Sequence, residues 1–186
     1  MKLMDDPVIK ERVARDIRFE VHALWSTALE YASRPRDVFG SDITIDNALL
    51  ESCLVHARLL ADFLDVKKPQ YEDVLAVHYL PNWDSRDTLT KAERDRINWT
   101  IMHLSAERSR VGEGIDLVET AERVLQVMGR FIGEITDPDV HGWFAPVVSE
   151  RAAFARRRHE METRGKVVRM VSTTNETVIG VNDGSL

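Results

Sequence analysis

The segment 43–65 constrains the fold of this chain more than any other. It is the most apolar part of the sequence, and its apolar residues recur at helical spacing on nearly every side of the predicted helix. Only a narrow strip of it is polar: Asn47, Glu51, Arg58, Asp62 and Asp65. A helix with so little polar surface needs neighbours on most sides, as at the centre of a helical bundle. We therefore expect an all-α fold with this helix at its centre.

Four more segments carry helical periodicity and bring the expected bundle to about five helices. They cover about 7–33, 90–110, 115–135 and 143–164. On the first of them, one face has the spacing of a buried stripe: Val13, Ile17, Val21, Leu24 and Ala28.

Local signals support several of these boundaries. Pro7 directly after Asp6 is typical of a helix start, and Thr90 with Glu93 has the spacing of a capping box. A shorter helix is expected within 70–79. The connector that follows carries Trp83, which we expect to pack on the core.

The character of the chain changes after residue 165. Residues 1–164 are expected to form one helical bundle domain, and residues 165–186 a C-terminal tail. The tail is rich in β-branched and apolar residues on both sides of 173–177, which favours a small hairpin or an extended arm. A frayed tail, or one that binds a protein partner, fits the same residues equally well.

Composition limits the class of protein. The chain has 186 residues, of which 44% are hydrophobic and 30% charged, as in an ordinary folded domain. Its formal net charge of −6 repels polyanions on average, so a nucleic-acid site would have to be a local basic patch. The N-terminus lacks the apolar stretch of a leader, and no apolar run has membrane-spanning length, so we expect a cytoplasmic protein without membrane contact.

Several kinds of catalytic centre are poor fits because their motifs are missing. The chain has no phosphate-binding glycine loop, no His-Glu-x-x-His and no Gly-x-Ser-x-Gly. Its single cysteine, Cys53, permits neither an internal disulfide nor a thiolate-rich zinc site, and is expected to be an inert core thiol. The six histidines are scattered, without the i, i+3 or i, i+4 pairs that helical metal sites favour. We therefore expect no metal and no cofactor.

A polar stripe on the predicted 90–110 helix has residues suited to chemistry on phosphates. It consists of Arg96, Thr100, His103, Glu107 and Arg110. Arg96 and His103 lie two helical turns apart and therefore project on the same side. A histidine can move a proton to or from an RNA oxygen, and an arginine can hold the phosphate. The same stripe also fits an ordinary solvated face in which Glu107 pairs with His103.

A second group of polar residues lies on the apolar 43–65 helix. His56 falls among apolar positions, so we expect a buried ring hydrogen-bonded within the core; a catalytic role or a small-ligand pocket there is the alternative. Arg58 and Asp62 have i, i+4 spacing and can pair. If His56 and Arg58 approach His103 across the bundle, the two helices form one polar cluster.

The densest basic run is the segment 156–159, which reads Arg-Arg-Arg-His and is continued by Arg164. Glu160 and Glu162 interleave with it, which favours an exposed helix crossed by salt bridges. A phosphate-binding edge is the alternative interpretation.

Two stretches of the chain resemble an uncharacterised bacterial family of helical proteins. The first is Asn47–Phe63, with Ala-Leu-Leu-Glu-Ser followed by His-Ala-Arg and Asp-Phe, and the second is Ile97–Leu104, which ends in His-Leu. The similarity covers roughly residues 10–135 and implies no particular activity.

Arg96 and His103 are separated by six residues, and this spacing resembles the Arg-x4-6-His signature of the HEPN superfamily. That superfamily consists of small helical bundles, many of them dimeric, metal-independent ribonucleases of toxin–antitoxin and phage-defence systems. The resemblance implies that Arg96 binds phosphate and His103 transfers protons, with two protomers facing each other. Thr100, Arg110 and Arg58 would then be substrate-binding residues.

Two functions follow as expectations. One is a HEPN-like, metal-independent endoribonuclease, or a relative of one, that acts as a homodimer on RNA. The other is a non-catalytic helical protein that dimerises or binds a protein partner, for which the tail 165–186 is one candidate surface.

Overall fold

The computed structural model describes residues 6–34, 43–65, 73–85, 88–102 and 115–176, except for the side chains of 43, 100–102 and 165–176. These residues form five α-helices and no strand. The helices are α1 (Pro7–Ser33), α2 (Ile43–Asp65), α3 (Lys91–Met102), α4 (Leu117–Glu134) and α5 (Pro138–Glu176). The predicted all-α bundle of about five helices is confirmed. None of the described helices is both long and apolar enough to cross a membrane.

Helix α2 packs against α1, α3 and α4, as its apolar pattern predicts. Most of its apolar side chains are buried: Leu50, Cys53, Leu54, Ala57, Leu60, Ala61, Phe63 and Leu64. Val55 and Leu59 remain exposed, so one side of the helix is not covered by the described residues. The central position is shared with α1, which packs against α2, α4 and α5.

Helix α1 begins as its sequence predicts. The Asp6 carboxylate accepts a hydrogen bond from the Val8 amide at 2.9 Å, and Pro7 occupies the first helical position. Four of the five residues predicted for its buried face lie in the core, namely Ile17, Val21, Leu24 and Ala28, while Val13 is half-buried against it. The helix ends at Ser33, because Arg34 precedes a proline and is extended.

The connector between α2 and α3 packs on the core through Trp83, which confirms that prediction. The indole is buried and its Nε1 donates to the Leu64 carbonyl at 2.8 Å. Phe131 lies at the centre of the surrounding aromatic cluster, with ring centroids 5.3 Å from Trp83 and 5.5 Å from Phe63. In place of the predicted short helix within 70–79, the described part has a single 3-10 turn, Ala76–His78.

Helix α5 is longer than predicted at both ends. It begins at Pro138, because the Asp137 carboxylate accepts from the amides of Asp139 and Val140 at 2.9 and 3.2 Å. It also continues through 165–176, where the sequence favours a hairpin or an extended arm; residues 177–186 lie outside the described residues. Extending an existing helix needs no new nucleus, and each β-branched residue costs only a few tenths of a kcal/mol.

Candidate functional site

The predicted catalytic stripe lies on α3 and beyond its described end. Arg96 is exposed on α3. Thr100 belongs to the same helix, but its side chain is outside the described residues, and so are His103, Glu107 and Arg110. The pairing of Arg96 with His103 therefore stays a prediction.

Arg58, predicted to bind substrate, joins α2 to α3. Its Nε donates to Asp62 Oδ2 at 2.8 Å and its Nη1 to Asn98 Oδ1 at 2.6 Å. Asn98 and Arg96 are two positions apart on α3 and project from nearly opposite sides of the helix. The structure therefore does not bring Arg58 and Arg96 together.

The remainder of the α2–α3 contact is an ion-pair network. Arg94 donates to Asp62 at 2.6 Å and also pairs with Asp65. Asp65 further accepts from the amide and hydroxyl of Thr88 at 3.0 and 2.6 Å. These carboxylates have several donors each, which is typical of residues that hold elements together.

His56 lies at the opposite edge of α2 from Arg58. Its Nδ1 is 2.5 Å from Glu20 Oε2 of α1, and its ring meets the edge of Phe19 with centroids 6.0 Å apart. The ring is largely buried and hydrogen-bonded, as predicted. It ties α2 to α1, whereas Arg58 ties α2 to α3, so these two residues do not share a cluster.

The arrangement best suited to chemistry is elsewhere, in a cleft of about 710 Å³ between α1 and α5. We call it the His22 cleft. Its α1 wall includes His22, Trp25 and Glu30, and its α5 wall includes Arg157 and Arg164. Two guanidinium groups and one carboxylate leave this lining with an excess of positive charge.

Glu150 of α5 supports the inner wall of this cleft. Its buried carboxylate accepts from His22 Nδ1 at 2.9 Å, from Trp25 Nε1 at 3.2 Å and from Arg18 Nε at 3.2 Å. The three donors follow the i, i+4, i+7 spacing of one face of α1. One carboxylate therefore holds α1 to α5 through three side chains.

Hydrogen bonding keeps Glu150 ionised. Burial acts to raise the pKa of this carboxyl, but the hydrogen bonds from His22, Trp25 and Arg18 outweigh it and hold the pKa below its usual range. An ionised carboxylate can only accept, so His22 Nδ1 carries the hydrogen of this contact and Nε2 is the ring nitrogen left for other partners.

His22 thus has the arrangement of an oriented acid–base group. Its side chain is 53% exposed and lines the cleft, while a buried carboxylate fixes the tautomer and the direction of the ring. Arg157 and Arg164 can bind an oxyanion in the same cleft. Arg157 also donates to Glu160 at 3.2 Å and Arg158 to Glu162 at 3.1 Å, which confirms the predicted salt-bridged helix. The phosphate-binding edge stays a prediction.

Sequence reasoning missed this site. His22 is one of six scattered histidines, and its partner Glu150 is 128 positions away. One sequence signal could have indicated this site. Arg18, His22 and Trp25 have i, i+4, i+7 spacing and therefore share a face of α1, next to its buried apolar face. The basic run of α5 is evident in the sequence, but nothing in the sequence places it opposite α1.

Comparison with other proteins adds no assignment. In the part of the chain that the structure describes, no three His, Cys, Asp or Glu side chains form a group able to hold a metal ion. Searches of protein-family models, of curated proteins and of solved structures find no match to this chain.

Proposed function

We propose that this protein is a metal-independent ribonuclease whose acid–base residue is His22, in the cleft between α1 and α5. The observation that supports it is the half-exposed imidazole held through Nδ1 by the buried carboxylate of Glu150, in a cleft with two arginines. The reaction class is the one expected from the sequence, but the proposed acid–base residue is His22 of α1 and not His103.

The chemistry needs only groups that this cleft has. His22 Nε2 takes the proton of an RNA 2′-hydroxyl, whose oxygen attacks the adjacent phosphorus. The P–O5′ bond breaks, a 2′,3′-cyclic phosphate forms, and the leaving 5′-oxygen receives a proton from the imidazolium or from water. Arg157 and Arg164 bind the non-bridging phosphate oxygens, where negative charge develops.

The charge distribution fits this substrate class. The chain as a whole carries a formal charge of −6, which disfavours non-specific binding of polyanions. The arginines 156–158 and Arg164 concentrate positive charge on one stretch of α5, and two of these residues line the His22 cleft. RNA would therefore bind along α5, with its affinity falling as salt rises.

Incubation of the purified protein with a mixed RNA substrate in EDTA tests the proposal. We expect cleavage that drops by a factor of about 10² or more in His22→Ala, since a general acid–base group contributes on that order. His141→Ala is the matched control, because His141 is an exposed histidine of α5 outside the His22 cleft, and it should keep full activity. Intact RNA with the folded wild-type protein, or equal cleavage by both variants, would contradict the proposal.

The same assay decides between the two proposed centres. Activity that survives His22→Ala and disappears in Arg96→Ala and His103→Ala would locate the reaction on α3, as the HEPN resemblance implies. In that case a homodimer is also required, because the resemblance has two protomers facing each other. Molecular mass in solution, measured by light scattering, then has to be that of a dimer.

A non-catalytic role in dimerisation or partner binding is the second candidate. Its support is the exposure of large apolar side chains on α1, α2 and α3: Phe19 at 64%, Leu59 at 50% and Trp99 at 52%. If Leu59 lies in an interface, we expect Leu59→Ser to weaken self-association, whereas the 50% exposure of this leucine means that the change costs the single chain little stability. Sedimentation of the wild type and the variant at several concentrations measures the effect, and identical monomeric profiles would contradict this role.

A further inference from the structure

A second cleft lies between α4 and α5, with a volume of about 420 Å³. Its lining includes Gln126 of α4 and Arg151, Arg158 and His159 of α5. Arg151 directly follows Glu150, so a rotation of about 100° around α5 separates this cleft from the His22 cleft. The two clefts use different faces of one helix.

Gly129 leaves open the space in which the Arg151 guanidinium lies. A Cβ atom at position 129 would overlap Cζ and both terminal nitrogens of Arg151. The guanidinium therefore lies directly on the bare backbone of α4, a position that any side chain at 129 would occupy. A side chain at this position would displace the guanidinium from α4.

Among the described residues that line this cleft, Arg151 is the arginine without a carboxylate partner. Glu122 and Glu162 also line the cleft, but both accept from Arg158, Glu162 at 3.1 Å. Within the described ranges, no carboxylate lies within ion-pair distance of Arg151. Five N–H donors of a planar guanidinium match the oxygens of phosphate or carboxylate groups.

We propose that the α4–α5 cleft is an oxyanion-binding site in which Arg151, placed by Gly129, holds a phosphate group. Gln126 and the His159 ring supply further polar groups in the same lining. The phosphate belongs either to a small free anion or to a nucleotide chain, and both present the same oxygens to Arg151. This site does not depend on the proposed ribonuclease activity.

Two glycines of α4 provide a matched test. Gly129→Ala removes the space for the Arg151 guanidinium, whereas Gly133→Ala, one turn later, places its Cβ where no atom lies within 4 Å. Both changes raise helix propensity alike, so a thermal shift common to both controls for folding. Arg151→Gln removes the charge itself.

Calorimetric titration with pyrophosphate, and separately with a short RNA, measures the binding. We expect the wild type and Gly133→Ala to bind with equal affinity, and Gly129→Ala and Arg151→Gln to bind at least about tenfold more weakly. If the affinity for pyrophosphate depends on Arg151, the ligand of the cleft is a small free anion. If only the affinity for RNA depends on Arg151, the ligand is a nucleotide chain. His22→Ala should leave the binding of pyrophosphate unchanged, so a failure of one proposal can be distinguished from a failure of the other.

Two results would overturn the inference. Wild-type affinity for both probes in Arg151→Gln, or no binding of either probe to the wild type at millimolar concentration, would remove the site. Equal affinities of Gly129→Ala and Gly133→Ala would remove the positioning role of Gly129.

Discussion

Glu150 shows how one side chain can serve both the fold and the proposed chemistry. Its carboxylate accepts from Arg18, His22 and Trp25, so replacing it removes three contacts between α1 and α5 at once. Because His22 and Arg18 are more than half exposed, solvent screens their share of the interaction. Most of the stabilisation that these hydrogen bonds give the fold therefore comes from satisfying the buried carboxylate of Glu150.

We expect Glu150→Gln to lower the free energy of unfolding by about 1–2 kcal/mol, the usual range for charged hydrogen bonds discounted for exposure. Urea denaturation followed by Trp fluorescence measures it, since Trp25 is one of the donors. Glu134→Gln is the control, because the i, i+4 pair that Glu134 makes with Arg130, at 3.9 Å, is exposed and lies within one helix. Equal destabilisation by the two variants would contradict the structural role of Glu150.

At the scale of the helical elements, the start of α3 is a capping box. The Thr90 amide donates to Glu93 at 2.8 Å, and the Glu93 amide donates to Thr90 Oγ1 at 3.2 Å. Thr90→Ala should cost about 1 kcal/mol and lower amide protection in the first turn of α3. Lys91→Ala is the control, with an expected cost under about 0.5 kcal/mol, because its pair with Asp95 is exposed. Hydrogen exchange that is unchanged in Thr90→Ala would contradict the prediction.

The capping box also shows which elements could be predicted from sequence. Signals confined to one turn, such as Asp6 with Pro7 or Thr90 with Glu93, gave helix starts that the structure confirms. Asp137 with Pro138 fits either the end of one helix or the start of the next, and the structure shows a start, because Asp137 caps α5. A proline after an acidic residue is compatible with a helix end and with a helix start. Only the position of the pair relative to the two helices distinguishes these cases.

At the scale of the whole molecule, the candidate site depends on how the helices pack. The pairs His22–Glu150, His56–Glu20 and Arg58–Asn98 each join two different helices. Periodicity identifies the face of a helix but not the helix that it meets. Sequence reasoning therefore found Arg58 and His56 as notable residues, yet it could not show that they contact different neighbours, nor that α1 and α5 form a cleft.

Acid should loosen the bundle through the carboxylates that join its helices. Glu150 joins α5 to α1, and Glu93 joins α3 to α4 through Arg123 at 2.5 Å. Burial acts to raise the pKa of both carboxyls, but hydrogen bonds from their partners hold both below the usual value of 4.5. The unfolded chain then binds more protons than the folded one, so these groups stabilise the fold above about pH 4.5 and lose that contribution as pH falls through the lowered values.

Urea titrations between pH 7 and pH 3 measure this dependence. We expect little change near neutrality from these two groups and a decline in unfolding free energy that begins below about pH 4.5. A Glu93→Gln/Glu150→Gln double variant should be less stable at neutral pH and decline less steeply, because neither position can then bind a proton. The two effects should add, since the carboxylates join different pairs of helices. An equally steep decline in the double variant would mean that other carboxylates hold the bundle together in acid.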